Sequence, residues 1–118
     1  VGDDKLHFYR NFSPEDYARL IGNAACLIGN SSSGLREGAY LGTPVVNIGT
    51  RQSNREHGAN VTHAAYDRAD IEAKARAHIA HGSYPQSKIF GDGTAGRQIA
   101  DILASATINV QKRLTYRP

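Results

Sequence analysis

The sequence predicts an α/β fold, a parallel β-sheet flanked by helices. Short apolar runs, Cys26-Leu27-Ile28 and Val45-Val46-Asn47-Ile48, have the continuous character of strands buried on both faces. Segments of helical period with legible caps alternate with them. Alternating strands and helices build parallel sheets through right-handed crossovers.

Taken in order, Leu6-His7-Phe8-Tyr9 is expected to form a first strand, ended by Arg10-Asn11-Phe12. Ser13-Pro14-Glu15-Asp16 then starts a helix: serine caps, proline takes the first turn, and the acids complement the dipole. Tyr17, Leu20 and Ile21 recur at i, i+3, i+4, which predicts an apolar inward face, and Gly22-Asn23 stops the helix. The strand at Cys26-Leu27-Ile28 leads into Asn30-Ser31-Ser32-Ser33-Gly34, a turn of small residues and hydroxyls. Leu35 to Leu41 is read as a helix of about two turns. Amides at a helix start lack intrahelical acceptors and carry partial positive charge, so the turn suits a phosphate. It matches neither GxGxxG nor GxxxxGK[ST], and turn chemistry alone explains serines and glycine equally well.

Gly42 closes the helix, Thr43-Pro44 enters the next strand, and Gly49 to Arg51 forms a second strand-end loop, with Arg55 nearby. Ligands of open α/β sheets sit where strands end and helices begin. Asn60 to His63 is a short strand candidate. Asp70 to Ala80 is alanine-rich, with Ile71, Ala75 and Ile79 on one face and Gly82 as its stop. After the loop Ser83 to Gly93, Thr94 caps a helix to Ser105 with Ile99, Ile102 and Leu103 on one face. Ile108 to Leu114 has no clear period and is left as a short strand or a tail.

The totals bound the function. The 118 residues make one domain or part of one, and 40% hydrophobic content permits a small core. The net charge of +3 is mild and its arginines are scattered, which argues for individual anion contacts and against a nucleic-acid stripe. A single cysteine excludes an internal disulfide and fits a reducing, cytoplasmic setting. No apolar run approaches the roughly 20 residues needed to cross a bilayer, and the polar start Val1-Gly2-Asp3-Asp4 does not resemble a signal peptide. The absence of any methionine, and an inventory short of a complete doubly wound sheet, suggest a piece of a longer protein lacking an N-terminal strand–helix–strand.

Leu27 to Val61, LIGNSSSGLREGAYLGTPVVNIGTRQSNREHGANV, and Tyr84 to Gly93, YPQSKIFGDG, resemble the hydrolysing UDP-N-acetylglucosamine 2-epimerases of sialic acid pathways. The resemblance runs to about Ala104. It implies a Rossmann-like sheet forming the second, UDP-binding half of a glycosyltransferase-B-type fold, incomplete at its N-terminus. Residues 1–106 would be this partial domain and 107–118 a tail. Matched position by position, Ser31 and Ser32 would hold the diphosphate, Glu37 the nucleotide through ribose hydroxyls, Arg51 the anion from the second loop, and Phe12 the base through its backbone.

Non-hydrolysing members carry Ser-Asp-Ser-Gly-Gly where this chain has Asn30-Ser31-Ser32-Ser33-Gly34, which favours the hydrolysing branch. Arg10-Asn11 keeps only one of the cations that animal members use for feedback inhibition by CMP-sialic acid, which puts that regulation in doubt.

The implied reaction is anti elimination of UDP from UDP-GlcNAc, then hydration of the glycal to N-acetylmannosamine. The catalytic carboxylates of the family lie before this segment, so no catalytic residue is assigned here and the isolated chain is expected to be silent. The acid pairs Asp3-Asp4, Glu15-Asp16 and Asp67/Asp70 read as caps or solvated faces. No cofactor and no metal are expected. His78 and His81, at i, i+3, read as an exposed pair; His57 and His63 flank the loop after Arg51, where a substrate contact is open. Cys26 reads as a small core residue. Expected partners are a UDP-sugar, the missing first domain and a second copy at an exposed sheet edge. Neither nucleic acid nor membrane is expected. The alternatives are a non-hydrolysing epimerase, a glycosyltransferase half-domain, or a nucleotide-binding module without chemistry.

Overall fold

The computed structural model describes residues 5–107 and residue 111. The polar start at residues 1–4 and the strand candidate within 108–114 lie outside the described residues, Gln111 excepted. The elements run α1 (Pro14–Gly22), β1 (Leu27–Gly29), α2 (Ser32–Leu35), α3 (Glu37–Leu41), β2 (Val45–Ile48), β3 (Val61–Ala64), α4 (Arg68–His81) and α5 (Ala95–Ser105). Among the described residues the sheet has three strands, all parallel, in the order β1-β2-β3. No described helix is long and apolar enough to cross a membrane.

Successive strand residues face opposite sides of a sheet. Val45 and Val61 therefore join Leu35 and Leu27 in one apolar cluster. Val46 and Ala64 point the other way, packing with Ala75 and Ile71 of α4, Cys26 and Ile48. Helices cover both faces, as a parallel sheet requires. Burial pushes the Cys26 thiol up, partly offset by a backbone hydrogen bond at Val46, which suits a core residue rather than a nucleophile.

Local signals explain the ends. Ser13 Oγ accepts from Asp16 N at 3.1 Å, with Pro14 in the first turn of α1. Asp67 Oδ1 accepts from Asp70 N at 2.8 Å, which starts α4 earlier than its apolar period indicates. Gly42 ends α3 at φ 71°, and Tyr84 N donates to its carbonyl at 2.8 Å. Ser87 N donates to Ala39 O at 2.9 Å, so the segment after α4 is strapped across α3.

Four expectations need correction. Leu6 to Tyr9 is not a strand: it has no regular structure, and Phe8 is 91% exposed. Its apolar alternation has β character, yet a strand needs a pairing partner, and among the described residues β1 pairs only with β2. The helix expected from Leu35 to Leu41 starts at Ser32 and breaks at Arg36, whose φ of −92° and ψ of −72° separate α2 from α3. The inward stripe of α4 runs Ile71, Ala75, His78, not Ile71, Ala75, Ile79. His78 is buried while Ile79 is exposed, because steps of three and four both fit the helical period. His78 and His81 are thus no exposed pair: Tyr84 OH lies 3.2 Å from His78 Nδ1, and the His81 ring stacks on Tyr84 at 4.1 Å. α5 itself forms as expected, with Ile99, Ile102 and Leu103 more than half exposed.

The seat of α2 on the sheet is tight. A Cβ at Gly34 would lie 2.9 Å from Val45 Cγ1 and 3.2 Å from Leu27 Cδ2. Gly34→Ala should therefore cost about 1–3 kcal/mol of overpacking, read as a lowered urea midpoint with an unchanged slope.

Burial also holds His78 below its ordinary value of 6.5, favouring the neutral ring. The unfolded chain then binds the extra proton, so this contribution is complete above pH 6.5 and is lost as pH falls through the lower folded value. Urea midpoints measured downward from pH 7.5 should fall in that window, and His78→Gln should flatten the dependence.

Candidate functional site

The carboxyl ends of β1 and β2 lie side by side, with Gly29 registered against Asn47. Beyond Gly29 the chain enters the serine turn. Ser31 caps α2, its Oγ accepting from Ser33 N at 3.3 Å and lying 2.9 Å from Ser33 Oγ. The phenol of Tyr17 reaches across from α1 to Ser33 Oγ at 2.8 Å. The loop after β2 closes on the same turn: Gln52 is buried, and its Nε2 donates to Asn30 O at 2.8 Å. Arg51 Nη1 donates to Asn30 Oδ1 at 3.5 Å, a long tether that leaves the guanidinium exposed beside the turn. First-turn amides of α2, serine hydroxyls and one cation thus share an edge of the sheet.

Ser32 opens onto a cleft of about 210 Å³, lined also by Leu35, Arg36, Arg55, Glu56 and Phe90. The Arg36 guanidinium sits 5.7 Å from the centre of the Phe90 ring, within cation–π range. On the other side of that pair lies a hollow of about 580 Å³, where Glu37 stands with Tyr40, Ser87 and Gly91. Glu37 is therefore one turn from the serines but faces the adjoining hollow.

Phe12 lies in a third hollow of about 460 Å³, with Tyr9, Arg10, Asn11, Pro14 and Tyr17. Its ring packs on Tyr9 at 4.9 Å and on Tyr17 at 6.4 Å. Tyr17 is its route to the serine turn.

The fold thus gathers Ser31, Ser32 and Arg51, places Glu37 next door, and ties Phe12 in through a shared aromatic neighbour. Sequence reasoning did not assign Tyr17, Gln52, Arg36 or Phe90. Tyr17 reads as a helix-face residue, and its partner is 16 positions away. Phe90 was visible only as part of the KIFGDG run. Among the described residues, no three or more His, Cys, Asp or Glu side chains gather as a metal site.

With that geometry in view, the comparisons with known proteins decide the family. The model of the family described as UDP-N-acetylglucosamine 2-epimerase matches residues 2–104. The chain belongs to this family. A UDP-N-acetylglucosamine 2-epimerase of Neisseria meningitidis serogroup B is 28% identical over 116 residues, 93% of this chain and 31% of that protein. Polysialic acid biosynthesis protein P7 of Escherichia coli is 44% identical over 57 residues, 48% of this chain and 15% of that protein. A GDP/UDP-N,N'-diacetylbacillosamine 2-epimerase (hydrolyzing) of Campylobacter jejuni is 39% identical over 57 residues, with the same coverage. This chain spans less than a third of the length of these relatives.

Removing the phenol of Tyr17 tests how the turn is held. Tyr17→Phe should cost about 0.5–1.5 kcal/mol, and the loss should vanish when Ser33→Ala is already present, in a double-mutant cycle of urea denaturation.

Proposed function

We propose that this chain is the UDP-binding portion of a hydrolysing UDP-N-acetylglucosamine 2-epimerase, an enzyme that converts UDP-GlcNAc to N-acetylmannosamine and UDP. The carrying observation is the convergence of Ser31, Ser32 and Arg51 at one edge of a parallel sheet. In this reading residues 1–106 are part of the second half of a glycosyltransferase-B-type protein, and a first domain supplies the rest of the sugar site.

The roles follow from chemistry. The α2 amides and the hydroxyls of Ser31 and Ser32 bind the diphosphate. Arg51 adds a cation facing the oxygen on which charge grows as the C1–O bond breaks. Glu37 accepts hydrogen bonds from the ribose diol, as a carboxylate does well. Phe12 contacts the base through its backbone. A base in the first domain takes the C2 proton while UDP leaves from C1. Water then adds to the resulting glycal, with the proton returning to C2 and hydroxide to C1. The Campylobacter relative, and one from Legionella pneumophila 28% identical over 96 residues, both bear the word hydrolyzing in their names, which favours this branch. The single cysteine suits a reducing cytoplasm.

Calorimetric titration of the chain with UDP tests the binding half of the proposal. Binding should saturate at one site, and Arg51→Ala or Ser32→Ala should each weaken it by roughly tenfold, the worth of a charge-assisted hydrogen bond. A flat titration removes the nucleotide reading. The full-length gene product incubated with UDP-GlcNAc should yield free N-acetylmannosamine and UDP. UDP-N-acetylmannosamine as product would place it in the non-hydrolysing branch instead.

A further inference from the structure

A second cluster stands on the same sheet, outside the roles given above. His63 of β3 registers against Asn47 of β2. His57 comes from the loop between these strands, and its Nε2 lies 3.2 Å from His63 Nε2. The rings meet nearly edge to face, at 75° with centres 4.8 Å apart. Each ring is held from behind by its other nitrogen: His57 Nδ1 is 3.1 Å from the carbonyl of Gly58, and His63 Nδ1 is 3.0 Å from the side-chain amide of Asn47. Asn47 is fully buried, and its Oδ1 has no partner.

These contacts constrain the protons. A carbonyl accepts, so His57 carries its proton on Nδ1 and presents a bare Nε2 to His63. As placed, Asn47 Nδ2 donates to His63 Nδ1, so His63 carries its proton on Nε2 and donates it to the bare Nε2 of His57. Amide oxygen and nitrogen exchange places on a half-turn of the Asn47 side chain. The half-turn brings the otherwise unpartnered Oδ1 to His63 Nδ1, where it accepts a hydrogen bond from Nδ1–H and leaves Nε2 bare. After that half-turn both Nε2 atoms present lone pairs to the space between them, the form in which a cation takes the place of the single shared proton.

Two imidazole nitrogens on one tetrahedral ion, at about 2.0–2.1 Å each, stand about 3.3 Å apart, close to the 3.2 Å found here. Metal-bound histidines characteristically donate their other ring N–H to a carbonyl or carboxylate, which fixes tautomer and ring orientation. Gly58 O is placed to do this for His57, and Asn47 Oδ1 does so for His63 once the amide has made its half-turn.

We propose that His57 and His63 form a two-imidazole site for a divalent transition-metal ion of the zinc, cobalt or nickel class. Imidazole donors suit these ions rather than magnesium or calcium. Both histidines are exposed, so the ion enters from solvent, and water completes its coordination. This inference stands apart from the nucleotide reading: the ion requires neither UDP nor the missing domain.

Cobalt(II) added to the 118-residue chain gives a direct readout through its visible absorption, with zinc(II) competing it away. The expected result is one saturable site per chain, weakened at least about tenfold in both His57→Gln and His63→Gln, with unchanged circular dichroism in the absence of metal. His81→Gln, at the unrelated His81–Tyr84 stack, should bind as the wild type does. A wild-type chain with no saturable site leaves only a hydrogen-bonded histidine pair and overturns the proposal. Retained affinity in either of the two glutamine variants, or loss in His81→Gln, overturns it as well.

Discussion

One buried amide ties the site to the fold. Asn60 Nδ2 donates to Thr43 O at 2.9 Å and to Gly34 O at 3.4 Å, and the residue is only 2% exposed. Those carbonyls belong to α2 and to the entry of β2, while Asn60 itself precedes β3. In the same stretch its own carbonyl accepts from Val45 N at 2.8 Å. A single side chain therefore satisfies backbone groups that burial would otherwise leave unpaired, at a cost of kilocalories each. Because α2 is anchored there and pressed on Val45 at Gly34, Ser31 and Ser32 are presented at a fixed height above the ends of the strands.

The edge proposed to hold the diphosphate is assembled from independent directions. The turn after β1 brings hydroxyls, the loop after β2 brings Gln52 and Arg51, and α1 brings Tyr17. Under the proposed function, this layout offers a nucleotide diphosphate donors from several sides. The neighbouring clefts share the Arg36–Phe90 pair as a common wall. That wall depends on the strap from Tyr84 to Ser87 across α3, which carries the KIFGDG run into place.

Legibility in the sequence followed the range of the interaction. The Ser13 cap, the left-handed Gly42 and the apolar runs of β1 and β2 are local signals and could be read directly. The serine turn and Arg51 were legible as neighbours because strand ends and helix starts are adjacent in any open parallel sheet. Leu6 to Tyr9 misled because β propensity says nothing of whether a partner strand exists. His78 misled because a helical stripe tolerates either of two adjacent positions. Tyr17–Ser33 and Asn47–His63, each joining residues 16 apart, have no signature in a linear reading.

The break at Arg36 bears on how a ligand would be sensed. A long helix sums its peptide dipoles and projects charge outward, but α2 has four residues and α3, displaced by the break, has five. The serine turn therefore casts almost no field beyond its own donors. Under the proposed function, attraction at a distance falls to the exposed guanidinium of Arg51, while discrimination begins only on touch, when each oxygen of the guest must meet its own hydroxyl or N–H.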